Sequence, residues 1–147
     1  MRIGAWSFVA LASVAAAQTN VAYVGGTATQ LAEGAHGSIA LSDDRYLAVY
    51  AGKTQMRVAY DRVNLLEYGQ QVGRRLALAL VISPVFLLSK SRKHFLTIGY
   101  SGEDGKQQAM VFQVDKNGIR PTLAALEART GLKVQYQDEQ ARKARNQ

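Results

Sequence analysis

Residues 94–114 read HFLTIGYSGEDGKQQAMVFQV, and this stretch decides the fold. Residues 94–100 have the β-branched and aromatic content of a strand. Asp104-Gly105, within the connection 101–105, is the strongest turn signal in the chain. Residues 106–114 form the return strand. Two strands joined by a five-residue connection make an antiparallel hairpin, so the domain is built around an antiparallel sheet.

Beyond the hairpin the period changes. Residues 121–130, PTLAALEART, predict a helix. Pro121 is tolerated in a first turn, Ala and Leu favour helix, and Gly131 fits the position just past its end. Leu123, Leu126 and Thr130 are spaced to share one face. Residues 115–120 read as a loop or an early helical turn, 132–136 as a short final strand, and 137–147 as a polar tail. Ahead of the hairpin, short strands are expected at 27–31, 38–41, 46–50, 55–59 and 63–68. Turns at 42–44 and 51–53 separate them, the first supplied by Ser42-Asp43-Asp44. In the strand at 46–50, Leu47 and Val49 face one way and Tyr46, Ala48 and Tyr50 the other. Met56 and Val58 face inward from the next strand. The expected class is α+β, mostly β: a bent antiparallel barrel whose open end is covered by the C-terminal helix.

Residues 74–93 interrupt this pattern. Arg74-Arg75 precede the apolar run LALALVISPVFLL at 76–88, and Lys90, Arg92 and Lys93 follow it. Three readings compete. As a spanning helix the run would rise about 20 Å, against a hydrocarbon core of about 30 Å, and Ser83-Pro84 breaks it. As a hairpin dipping into a membrane, it would place the five basic residues at anionic headgroups. As core, its alternation of Leu76, Leu78, Leu80 and Ile82 with smaller residues fits a strand buried on both faces, and Ala and Leu fit a short buried helix as well. The core reading is the preferred one.

The N-terminus has the three parts of a signal peptide: Arg2, an apolar stretch at 3–14, and Ala15-Ala16-Ala17 before Gln18. Residues 1–17 are therefore expected to be removed, leaving about 130 residues, enough for one core at 18–136. With Arg2 gone, the net charge of +7 becomes +6. A basic exported chain suits anionic lipid, an envelope polymer or an envelope protein rather than nucleic acid. The chain has no cysteine, so neither a disulfide nor a thiolate metal site contributes.

Signals for chemistry are weak. His36 and His94 lie far apart without a clustered acidic partner, so no metal is implied. Gly102 to Lys106 has the outline of a phosphate loop, but Gln107 stands where Ser or Thr is needed. Neither a Gly-x-Ser-x-Gly elbow nor a Ser-x-x-Lys motif occurs. A non-enzymatic protein without a cofactor is expected.

Four segments carry a family resemblance: Val72-Gly-Arg-Arg75, Lys90-Ser-Arg-Lys-His-Phe-Leu-Thr-Ile98, Phe112-Gln-Val114 and Leu126-Glu-Ala-Arg-Thr-Gly131. With the element order, they resemble the pleckstrin-homology-like superfold, including GRAM-like domains, and more narrowly small bacterial exported proteins of that architecture. The resemblance spans roughly residues 25–136. It implies a seven-stranded bent barrel with a C-terminal helix, and binding of lipids or proteins rather than catalysis. The insertion at 74–93 departs from a minimal version of the fold. Taken together, the expected function is that of an exported binding module, periplasmic or extracellular. Arg74, Arg75, Lys90, Arg92 and Lys93 form its candidate basic patch for an anionic membrane surface or envelope ligand. The alternative is a protein–protein module that adds a partner's strand to an exposed sheet edge.

Overall fold

The computed structural model describes residues 18–70 and 93–137; residues 1–17, 71–92 and 138–147 lie outside the described residues. The expected signal peptide, the apolar run at 76–88 and all but Gln137 of the polar tail therefore fall outside the described residues. The described residues form eight strands: β1 (Gln18–Gly26), β2 (His36–Ala40), β3 (Tyr46–Ala51), β4 (Thr54–Ala59), β5 (Val63–Gly69), β6 (His94–Ser101), β7 (Gln107–Val114) and β8 (Gln135–Tyr136). Among the described residues a 3₁₀ turn, Tyr60–Arg62, links β4 to β5, and helix α1 (Lys116–Thr130) follows β7.

All eight strands form one sheet in the order β4-β3-β2-β1-β7-β6-β5-β8. Every pairing is antiparallel except the two-residue parallel contact of β8 with β5. β4 and β5 are neighbours in sequence but six strand spacings apart in the sheet. Laid flat, six spacings measure about 29 Å. The link from Ala59 to Val63 spans at most about 14 Å. The sheet must therefore curl until its two ends nearly meet at the Tyr60–Arg62 turn. It curls without closing: β4 and β8 remain its two edges, and no ladder joins them. The expected barrel is thus an open, strongly bent sheet, with eight strands rather than seven. It stays open because the turn brings together only one end of β4 and the start of β5, which then run apart.

The concave side holds one hydrophobic cluster drawn from β1 to β7 and α1. Leu47, Val49 and Val58 face Leu66, Leu96, Ile98, Met110 and Phe112 across it, most of them fully buried. Alternation decides which residues point in: Leu47 and Val49 are buried, whereas Tyr46 and Tyr50 are exposed on the convex face. Two expectations fail at the start of the sheet. Residues 27–31 are not a strand. Ala28 and Leu31, three apart, both enter the core as a plug in the β1–β2 loop, a spacing that no strand can bury on one side. The first strand is instead β1, which pairs with both β2 and β7 and carries a bulge between Tyr23 and Gly25.

The helix starts at Lys116, five residues before Pro121, so of the two readings of residues 115–120 the early helical turn holds. Asn117 and Gly118 have low helix propensity and conceal its first turn. Tertiary contacts override them: Ile119, Thr122, Leu123 and Leu126 are buried, and the Thr122 and Thr19 hydroxyls meet at 2.6 Å. Pro121 therefore sits in the second turn and leaves one helical hydrogen bond unmade. Gly131, at φ 73°, ends the helix as expected, its N–H donating to Glu127 O at 2.9 Å. Gly118 permits the close approach to β1, because a Cβ there would lie 2.6 Å from Thr19 Cγ2. Replacing Gly118 by Ala gains at most about 1 kcal/mol of helix propensity. Overpacking against Thr19 costs about 1–3 kcal/mol. Gly118→Ala should therefore lower stability in urea unfolding, and the loss should shrink when both proteins also carry Thr19→Ser, which lacks the clashing methyl. A stabilised single variant would show that the helix moves away freely.

Candidate functional site

β4 is paired on one side only. The other sheet edge, β8, is two residues long, so β4 is the one extended free edge among the described residues. Its register shows which backbone groups are free. Tyr60 N–H donates to Arg45 O at 2.9 Å, one step beyond the Tyr46–Ala59 pair. Bonded pairs alternate along an antiparallel ladder, so Val58, Met56 and Thr54 bond to β3. Gln55, Arg57 and Ala59 then turn their N–H and C=O groups outward. The β3–β4 connection is tight, with Gly52 at φ 59° in the first position of its two-residue turn, as a II′ hairpin requires.

A groove of about 570 Å³ runs along this edge. Thr54, Gln55, Met56, Arg57 and Val58 all line it. Successive strand residues point to opposite faces, so five in a row bordering one groove mark the strand's edge rather than either face. The opposite wall is the β6–β7 hairpin, with Tyr100 at its base and Glu103 and Asp104 at its tip. That tip is held by Asp104 Oδ1, which accepts from Lys106 N–H at 3.0 Å, and by Gly105 at φ 76°. The third wall is the plug loop. Thr27 N–H and hydroxyl both donate to Ala109 O, and Thr27 Oγ1 accepts from Ala109 N–H at 3.0 Å. Tyr23 donates to Ala28 O at 3.4 Å, and burial pushes its hydroxyl up to about 12. Burial also raises Tyr100, against the smaller lowering effect of its bond to Thr27. Both phenols are therefore neutral donors at physiological pH.

The groove follows the line of β5. Val63 pairs with Tyr100, and the hairpin projects beyond that point while β5 runs the opposite way. One end is thus closed by the 3₁₀ turn and the start of β5, and the other opens between Thr54 and the hairpin tip. Arg62, in the turn, and Arg57 lie toward the closed end, and both are exposed. With the Gln55 amide oxygen turned toward it, Arg57 donates through Nε at 3.1 Å and through its terminal nitrogen at 3.2 Å. The one ion pair among the described residues, Arg129 with Asp44 at 2.6 Å, lies elsewhere. Arg57 and Arg62 therefore form no ion pair among the described residues, and Arg57 adds only a smaller charge effect to the backbone hydrogen bonds that lower the Asp43 carboxyl.

Of the five residues in the expected basic patch, Arg74, Arg75, Lys90 and Arg92 lie outside the described residues. Lys93 is half-buried just before β6. It lies seven positions before Tyr100, about 24 Å along a strand, so it is remote from the groove. The groove residues were hidden from sequence reading for a definite reason. The alternation at 55–59 identifies a strand, but an edge exists only once the strand order is known. No family model matches the chain, and no curated protein matches it. Among the described residues no three His, Cys, Asp or Glu side chains gather to hold a metal ion. No described helix is long and apolar enough to cross a membrane.

His94 has a different environment. Its Nδ1 lies 2.6 Å from the Tyr68 hydroxyl, and the two rings stack at 5.9 Å. Burial lowers its pKa below the ordinary 6.5, and nearby Lys116 adds to the effect. The unfolded chain then binds more protons than the folded one between the lowered value and 6.5, so stability falls as pH drops through that window. Chemical unfolding at pH 7.5 and pH 5.5 should show this decline in the native protein and a smaller one in His94→Gln. Equal declines would exclude His94 as the cause.

Proposed function

We propose that this protein is an exported, non-enzymatic binding module of pleckstrin-homology-like architecture that captures an extended segment of a partner protein along the free edge of β4. The observation that carries the reading is the run of five consecutive β4 residues lining one groove. Edge strands are commonly blunted by short length, bulges or covering elements. β8 is short, whereas β4 has six residues and a regular register. Main-chain bonds from Gln55, Arg57 and Ala59 would provide affinity, and flanking side chains would provide selectivity. The architecture is supported by two antiparallel meanders, β1–β4 and β5–β7, followed by a packed helix.

An eight-residue peptide of alternating Thr and Val tests the reading by amide NMR. The Gln55, Arg57 and Ala59 amides should shift and gain protection from exchange as peptide is added. Gln55→Pro should abolish the response while keeping the β3 ladder, because the N–H it removes faces the groove. Absence of any β4 response at millimolar peptide would overturn the proposal.

A second reading rests on charge clustering alone. Arg74, Arg75, Lys90, Arg92 and Lys93 contain no acidic neighbour within the cluster and suit an anionic surface. Co-sedimentation with anionic vesicles should weaken at high salt, and should be lost when the five become Gln or Ser. Unchanged binding by that variant would remove the lipid version.

A further inference from the structure

The β4 groove is blind, and its charge is divided along its length. The 3₁₀ turn closes one end, and β5 continues on the same line behind it. A strand passing through would collide with this backbone, so the groove has room for the end of a chain and not for its middle. Arg62 belongs to the closing turn, and Arg57 lies about 7 Å up β4 from Ala59. Glu103 and Asp104 stand at the mouth, three and four residues beyond Tyr100.

We infer that the groove takes the free C-terminus of an extended chain, with the terminal carboxylate beside Arg57 and Arg62. This rests on the reading of β4 as a strand-capturing edge and adds the identity of the captured end. Charge decides which terminus enters. An α-amine at the closed end would face two arginines, whereas a carboxylate would receive charge-assisted hydrogen bonds from their guanidinium groups. Direction follows. A chain ending at the turn enters past the hairpin tip and runs from Thr54 toward Ala59, parallel to β4. Its upstream residues pass Glu103 and Asp104, which favours Lys or Arg a few positions before the terminus and disfavours acids there. On the inner side, Met56, Val58 and Tyr100 present an apolar surface to alternate residues.

The decisive comparison uses the Thr-Val peptide in two forms, with a free C-terminal carboxylate and with a C-terminal amide. Shifts of the β4 amides report binding, and the Arg57 and Arg62 Nε–H signals report the terminus. The acid form should bind about 10- to 100-fold more tightly, as expected for one charge-assisted contact. The preference should fall to within about threefold in Arg62→Gln with Arg57→Gln. Both residues are exposed, so the variant's unchanged remaining amide spectrum serves as its folding control. Equal affinity of the two forms, with β4 still responding, would overturn the terminal assignment and leave strand capture standing. Failure of both forms to perturb β4 would overturn both. A preference for the amide, or one undiminished by the double substitution, would also overturn the assignment.

Discussion

Three residues between β4 and β5 impose the shape of this molecule. A sheet of this strand order has no intrinsic reason to bring its first and second meanders together at the β4 end. The Tyr60–Arg62 turn requires it, because the chain is too short to bridge the ends of a flat sheet. The curl converts two half-buried faces into one enclosed core, in which Leu47 and Val58 share a cluster with Leu66 and Ile98. Without cysteine, that cluster and the ladders around it hold the described domain together. Each large aliphatic side chain fully buried there contributes about 1.5–3 kcal/mol.

The incomplete closure has a complementary cause. The turn joins β4 and β5 at a point, and from that point the strands diverge. On one side α1 packs against β1 and the turn, with Leu123 and Leu126 buried and Arg129 bound to Asp44 at its far end. On the other side the gap is bordered by the plug loop and the β6–β7 hairpin. Core burial and an accessible strand edge are thus two results of the same short connection.

Local chemistry made much of the fold legible. Asp104-Gly105 marked the hairpin, Gly131 marked the helix end, and the alternation of Leu47 and Val49 with tyrosines set the face of β3. Elsewhere long-range contacts override local preference. Thr19 stabilises a first helical turn that Asn117 and Gly118 disfavour. The core takes Ala28 and Leu31 from a loop that reads as a strand. β1 begins directly after the apolar N-terminal stretch, whose resemblance to a signal sequence masks the strand pattern that follows. The groove was illegible in principle. Arg57, Arg62, Tyr100 and Glu103 are scattered over 47 positions and meet only through strand order. The basic cluster at 74–93 was the more visible feature because its residues are contiguous in sequence.

The pairing of β1 with β7 has a consequence for how the domain is assembled. Val21 lies beside Val114 in the sheet, so most of the chain separates the two members of a central ladder. β1 can form its contact with β2 early, across a short loop. Its other flank stays unpaired until β7 exists. Contacts of such separation carry a loop-closure cost that must be met before they contribute, which slows folding. During synthesis from the N-terminus, the first strand emerges with one edge open and is enclosed only after some ninety further residues have followed it.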